Sequence, residues 1–215
     1  MATLTRSKSI NCLFLDIGGV LLTDGWDHHA RKRAAKHFRL EWSEMEGRHQ
    51  LTFAAYEEGK LTMQQYLDRV VFYQKREFTS PQFRRFMFAQ SKPYPEMLEM
   101  IAQLKRRYGL KIGVVSNEGR ELNAYRIGRF GLKRFVDFFV SSCFVHVRKP
   151  DADIFRLALD LSQAPAREVL YIENTPMFVQ IAQGFGIRCI LHTNARSTRS
   201  QLAAFGFRSA DGARG

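Results

Sequence analysis

The chain has 215 residues, 45% of them hydrophobic and 13% aromatic against 25% charged. That is enough apolar material for one large domain, or for a compact domain carrying a smaller insertion, and it excludes disorder for the bulk of the chain. The formal net charge of +12 suits anionic ligands of several kinds. Its basic residues come in short groups, Arg31-Lys32-Arg33, Lys105-Arg106-Arg107 and Lys133-Arg134, each inside a helical pattern. They read as solvated helix faces, and no nucleic-acid partner is expected.

No apolar run approaches the ~20 residues that span a bilayer. Arg6 and Lys8 precede no long apolar stretch, so neither a membrane segment nor a secretory signal is expected, and a cytoplasmic location is. Cys12, Cys143 and Cys189 are odd in number, widely spaced and set in apolar segments that read as strands; buried free thiols are expected. Residues 1–9 and 208–215 read as mobile ends.

In chain order, an apolar segment from Ile10 to Ile17 carries Asp16 and runs into Gly18-Gly19, the pattern of a buried strand ending in a tight loop. Between Trp26 and about Lys92 the pattern is helical. Thr62 with Gln65 resembles a capping box, and Ser80-Pro81 an N-cap followed by a first-turn proline. Met97, Ile101, Leu104 and Tyr108 recur at helical spacing before Gly109.

From there strands and helices alternate: strand 110–115, helix 120–130, strand 138–141, helix 151–161, strand 169–172, helix 177–183, strand 187–191 and a short helix near 199–205. Continuously apolar strands alternating with amphipathic helices predict an α/β fold with a parallel sheet covered on both faces. Ligands of such sheets bind beyond the carboxyl ends of the strands. Asp16, Ser116 and Glu173 fall at those ends, and Lys149 in the loop before a helix. A nucleophile, a hydroxyl donor and a cation placed together are what phosphoryl transfer requires.

Four segments, in order, resemble the four motifs of the haloacid dehalogenase-like hydrolase superfamily: Asp16-Ile17-Gly18-Gly19-Val20, Val114-Val115-Ser116-Asn117, Arg148-Lys149-Pro150-Asp151 and Tyr171-Ile172-Glu173-Asn174-Thr175. The resemblance covers nearly the whole chain. It implies a Rossmann-like three-layer core over residues 1–25 and 93–215, with residues 26–92 inserted as a small helical cap. It implies a phosphatase acting on a small phosphorylated metabolite, such as a sugar phosphate, with Asp16 as nucleophile forming an aspartyl-phosphate. Ser116 and the Asn117 amide would hold the phosphoryl oxygens, and Lys149 would offset charge between Asp16 and the substrate. Magnesium would sit on Asp16, the Gly18 carbonyl and Glu173. Trp26, Tyr56 and Tyr94 are candidate contacts, although buried packing is the expected role of each. No sequence feature sets the oligomeric state.

Two positions depart from the family pattern. Gly18 stands where related phosphatases carry an acid/base aspartate; Glu118, Asp24, His28 and His29 are the substitutes in the sequence. Glu173-Asn174 replaces a pair of aspartates. Two further readings stay open: a metal-independent 2-haloacid dehalogenase of the same superfamily, disfavoured by a carboxylate at 173, and a non-catalytic binding module, favoured by Gly18 and Asn174.

Overall fold

A computed structural model describes residues 10–208 of the chain. Five parallel strands form one sheet in the order β3-β2-β1-β4-β5: β1 Cys12–Leu15, β2 Lys111–Ser116, β3 Phe138–Ser141, β4 Val169–Glu173 and β5 Arg188–Leu191. Ten helices accompany them among the described residues: α1 His28–His37, α2 Trp42–Glu57, α3 Met63–Val70, α4 Ser80–Ala89, α5 Pro95–Tyr108, α6 Arg120–Arg129, α7 Ser142–Val145, α8 Asp153–Ser162, α9 Pro176–Gly184 and α10 Ala195–Ala204.

The pleat sends alternate residues of the central strands to opposite faces. Leu13, Leu15, Ile112, Val114, Leu170 and Ile172 join one apolar cluster with Met97, Ile101 and Leu104 of α5. Cys12, Phe14, Val115, Val169 and Tyr171 join another with Ile154, Phe155 and Ala158 of α8 and Ala182 of α9. Burial on both faces explains the nearly uninterrupted apolar runs. The chain builds β1, β2 and β3 on one side and then crosses to β4 and β5 on the other. A crevice therefore opens beyond the ends of β2, β1 and β4.

Helices α1–α4 form a third apolar cluster around Trp26, Tyr56, Tyr66, Phe83 and Met87, which Leu122 of α6 completes. The chain leaves for this unit and returns from it side by side. Leu22 bridges Pro93, Thr23 N donates to Lys92 O (2.9 Å) and Tyr94 N to Leu21 O (2.9 Å).

Local differences from the sequence reading have local causes. β1 stops at Leu15 because the Ile17 carbonyl accepts from Leu21 and Leu22 in the turn that follows. The capping box at Thr62/Gln65 is present, but the cap of α4 is Thr79, paired with Gln82, and Ser80 is already helical. Helix α8 starts at Asp153, after an Asp151 turn whose carboxylate accepts from the Asp153 amide. Helix α10 starts earlier than expected, capped by Asn194. Cys143 lies in α7 and not on a strand. Arg31 is not a solvated face residue: it is buried, forks onto Glu46 with two contacts of 2.7 Å and donates to Trp26 O. The ends at 1–9 and 209–215 lie outside the described residues, while Arg208 is tied down by its amide to Tyr108 Oη (2.8 Å). Among the described residues no helix is long and apolar enough to cross a membrane.

Candidate active site

Asp16 follows β1 directly, one residue past the Leu15–Ile172 pair, and its amide donates to Ile172 O (3.1 Å). Since β1 lies between β2 and β4, Ser116 and Glu173, the last residues of those strands, flank it. Lys149 reaches in from the loop before α8 and is 1% exposed; Ser116 is equally buried and Glu173 wholly so. The Lys149 Nζ stands 3.1 Å from Asp16 Oδ1 and 2.7 Å from Glu173 Oε2. The four residues at the expected strand ends and loop thus meet in one place.

The surroundings fix them. Asn117 holds the Lys149 peptide from both sides: Lys149 N donates to Asn117 Oδ1 and Asn117 Nδ2 to Lys149 O, each at 2.8 Å. Tyr171 Oη donates to Glu173 Oε2 (2.5 Å) and accepts from Lys149 Nζ (3.1 Å). Glu173 Oε1 takes the amides of Asn174 and Thr175, both at 2.9 Å. The orientation of the Asn174 amide follows from its partners: its nitrogen donates to Glu173 Oε1 (2.9 Å) and Gly18 O (3.2 Å). Gly19, at φ +72°, leaves the room this side chain fills, since a Cβ there would overlap it.

Charge balance sets the chemistry. Two buried carboxylates share one ammonium, and burial together with Glu173 pushes the Asp16 carboxyl above the usual range, against the pull of Lys149 and the Ser116 hydroxyl. Burial disfavours the Lys149 ammonium, but Asp16 and Glu173 more than offset this and hold it above its ordinary value. The Asp16 Oδ1 atom is buried and has no aligned hydrogen bond.

That under-satisfied oxygen bears on the implied magnesium. Among the described residues no three His, Cys, Asp or Glu side chains cluster as ligands. Two carboxylates and the Gly18 carbonyl, with one surplus negative charge, are nonetheless the hard-oxygen set that magnesium takes. The residues fit the ion, provided that the Asn174 amide gives way.

A cavity of about 290 Å³ opens over Asp16. Its walls include Asp24, Trp26, Tyr56, Glu57, Glu118 and Arg148. Trp26 and Tyr56 are buried packing residues that also face it, whereas Tyr94, 39% exposed, does not line it. Of the expected acid/base substitutes, Glu118 is committed to a buried ion pair with Arg126. His28 and His29 do not line the cavity, and Asp24 does. Glu57, at the end of α2, pairs with Arg148 Nη2 (2.6 Å), and burial lifts its carboxyl to about 7.

Sequence reasoning missed Tyr171, Glu57 and the Asn117 side chain. Tyr171 had a signal, because residues i and i+2 of a strand share a face and 173 was already a site residue. Glu57 had none, and Asn117 was marked only for its backbone amide, not for its side-chain hold on Lys149; their partners lie 91 and 32 residues away.

This arrangement is that of an enzyme with a parallel α/β sheet whose polar groups gather at the strand ends. The description "haloacid dehalogenase-like hydrolase" matches residues 10–197, and the chain belongs to that family. It is similar to the HAD family enzyme bt-2542 of Bacteroides thetaiotaomicron, with 20% identity and a TM-score of 0.77 over 91% of this chain and 99% of that one. The same enzyme in complex with magnesium and inorganic phosphate matches with 17% identity and a TM-score of 0.73, over 86% and 95%. In sequence, 95 residues are 30% identical to "Putative pyrophosphatase PpaX" of Caldanaerobacter subterraneus subsp. tengcongensis, 44% of this chain and 43% of that protein. The match thus spans under half the length of this curated relative.

Proposed function

We propose that the protein is a magnesium-assisted phosphatase of a small phosphorylated metabolite, with Asp16 as nucleophile. The observation that carries this reading is the buried Asp16–Lys149–Glu173 cluster at the floor of the cavity. A solved relative in complex with magnesium and inorganic phosphate supports it.

In this reading an Asp16 oxygen attacks phosphorus, the bond to the leaving oxygen breaks, and water then attacks the aspartyl-phosphate to release phosphate and free Asp16. Lys149 favours the ionised form of Asp16 and approaches the phosphoryl oxygens; Glu173 and Tyr171 hold its ammonium in place. Ser116 and the Asn117 amide donate to the phosphoryl group. Asp16, the Gly18 carbonyl and Glu173 would hold magnesium, which supplies charge neutralisation. Residues 26–92 act as the cap that excludes water and selects the substrate; their Glu57–Arg148 contact reaches the residue beside Lys149.

The test is a screen of acyl, anomeric and alkyl phosphates, with and without magnesium, on the wild-type chain and Asp16→Asn. Phosphate release that Asp16→Asn abolishes is expected. Release that survives the substitution overturns the nucleophile, and halide release from a 2-haloacid without any phosphate release overturns the reaction class.

A further inference from the structure

Glycine at 18 removes the aspartate that would protonate the leaving group, and the structure brings another carboxylate to the same spot. A Cβ built on Gly18 would lie 3.1 Å from Asp24 Oδ1 and 3.4 Å from the Asp24 Cα. An aspartate side chain at 18 would extend its own oxygens roughly 2.4 Å from that Cβ. The Asp24 carboxylate therefore occupies the quarter of the cavity that such a side chain would enter.

The loop that carries Asp24 is pinned. Arg126, 1% exposed, donates to Thr23 O (2.7 Å) and Ser91 Oγ (3.0 Å) and pairs with Glu118. Gly25, at φ +77°, lets the backbone pass against that guanidinium, since a Cβ there would come within 2.1 Å of Nη2. Trp26 N closes the turn onto Asp24 O (2.9 Å). The Asp24 residue itself is exposed and lines the same cavity as Asp16 and Lys149. It is held at its base and open at its tip, as a group that exchanges protons with substrate and solvent must be.

We propose that Asp24 is the general acid and base of this enzyme, supplied from the loop after β1 in place of a side chain at position 18. The proposal rests on the phosphatase reading above. As the bond from phosphorus to the leaving oxygen breaks, the Asp24 carboxyl gives its proton to that oxygen and becomes a carboxylate. It then takes a proton from the water whose oxygen attacks the aspartyl-phosphate, which restores the carboxyl; no net proton is gained or lost by the residue.

The experiment compares rapid-mixing time courses of the wild-type chain, Asp24→Asn and Gly18→Asp/Asp24→Asn on glycerol phosphate and p-nitrophenyl phosphate, with magnesium. Nitrophenolate leaves without a proton, while an alkoxide does not. Asp24→Asn is expected to lose ~10²–10⁴-fold on glycerol phosphate. On p-nitrophenyl phosphate it should give a nitrophenolate burst of about one equivalent followed by slow turnover, because the base of the second step is gone. Moving the carboxylate to position 18 should recover at least about tenfold on glycerol phosphate. Equal losses on both substrates without a burst, or no loss on either, overturn the role of Asp24 and leave Asp16 standing. Absence of product from both substrates with the wild-type chain overturns the phosphatase reading and this role with it.

Discussion

Two buried carboxylates, Asp16 and Glu173, face one ammonium, and the surplus charge is partly masked by a neutral amide: Asn174 donates to Glu173 Oε1 and the Gly18 carbonyl. An amide nitrogen can donate to those oxygens but cannot neutralise them, so the magnesium proposed above would compete for the same place. Asn174→Asp removes the donor and adds a ligand charge. We expect it to tighten magnesium binding by on the order of tenfold or more, since ligand charge tunes divalent-cation affinity over decades. Calorimetric titration and the magnesium-induced rise in Tm read this directly; equal affinities in the two proteins would show that residue 174 does not face the cation. The aspartate missing at 18 and the amide at 174 were both legible in the sequence. What surrounds them was not: the approach of Asp24 to the side-chain space at position 18 depends on how the loop turns at Gly25, a turn that Arg126 packs against.

At the scale of elements, the strands were legible because burial on both faces leaves an uninterrupted apolar run, and the site followed because its residues end β1, β2 and β4. Helix starts were less so, as at α10, where Asn194 in a polar stretch looked like ordinary loop. The helical unit of α1–α4 holds a polar line inside its core: Trp26 Nε1 donates to Tyr66 Oη (2.9 Å), which bonds His49 Nδ1 (2.8 Å). Burial, with Arg31 nearby, drives the His49 imidazole down to about 3 from an ordinary 6.5. The unfolded chain therefore takes up a proton on this residue as pH falls below 6.5 while the folded chain does not. Stability from this group is complete above 6.5, is lost progressively down to about 3, and is about 2 kcal/mol lower at pH 5. Urea denaturation at pH 7.5 and pH 5 should show a smaller acid loss in His49→Gln than in the wild-type chain. Parallel losses would place the acid sensitivity elsewhere.

The molecule as a whole depends on how the helical unit sits on the carboxyl edge of the sheet. The joint has an apolar part, with Leu122 of α6 in the helical unit's cluster and Tyr125 stacked on Phe88, and a polar part. Ser142 Oγ donates to Glu57 O (2.7 Å), His146 Nδ1 lies 2.7 Å from Glu58 O, and Arg148 pairs with Glu57. Gly59, just past α2 at φ +67°, presses against the Cys143 backbone so closely that a Cβ would come within 2.4 Å of its carbonyl oxygen. Gly59→Ala therefore meets two penalties, roughly 1–2 kcal/mol for a left-handed alanine and a collision with backbone that cannot rotate away. Gly47 offers the contrast: it lies inside α2 with nothing within 4 Å of an added Cβ. Gly47→Ala should raise stability by about 0.5–1 kcal/mol, as alanine does in an exposed helix interior. Thermal unfolding of the two variants should move Tm in opposite directions, down for 59 and up for 47. Because the lost contact at 59 is between the two layers, that variant should also be cut faster in limited proteolysis within residues 26–92. If Gly59→Ala keeps the wild-type Tm and cleavage rate, the Cys143 contact is not what seats the helices on the sheet.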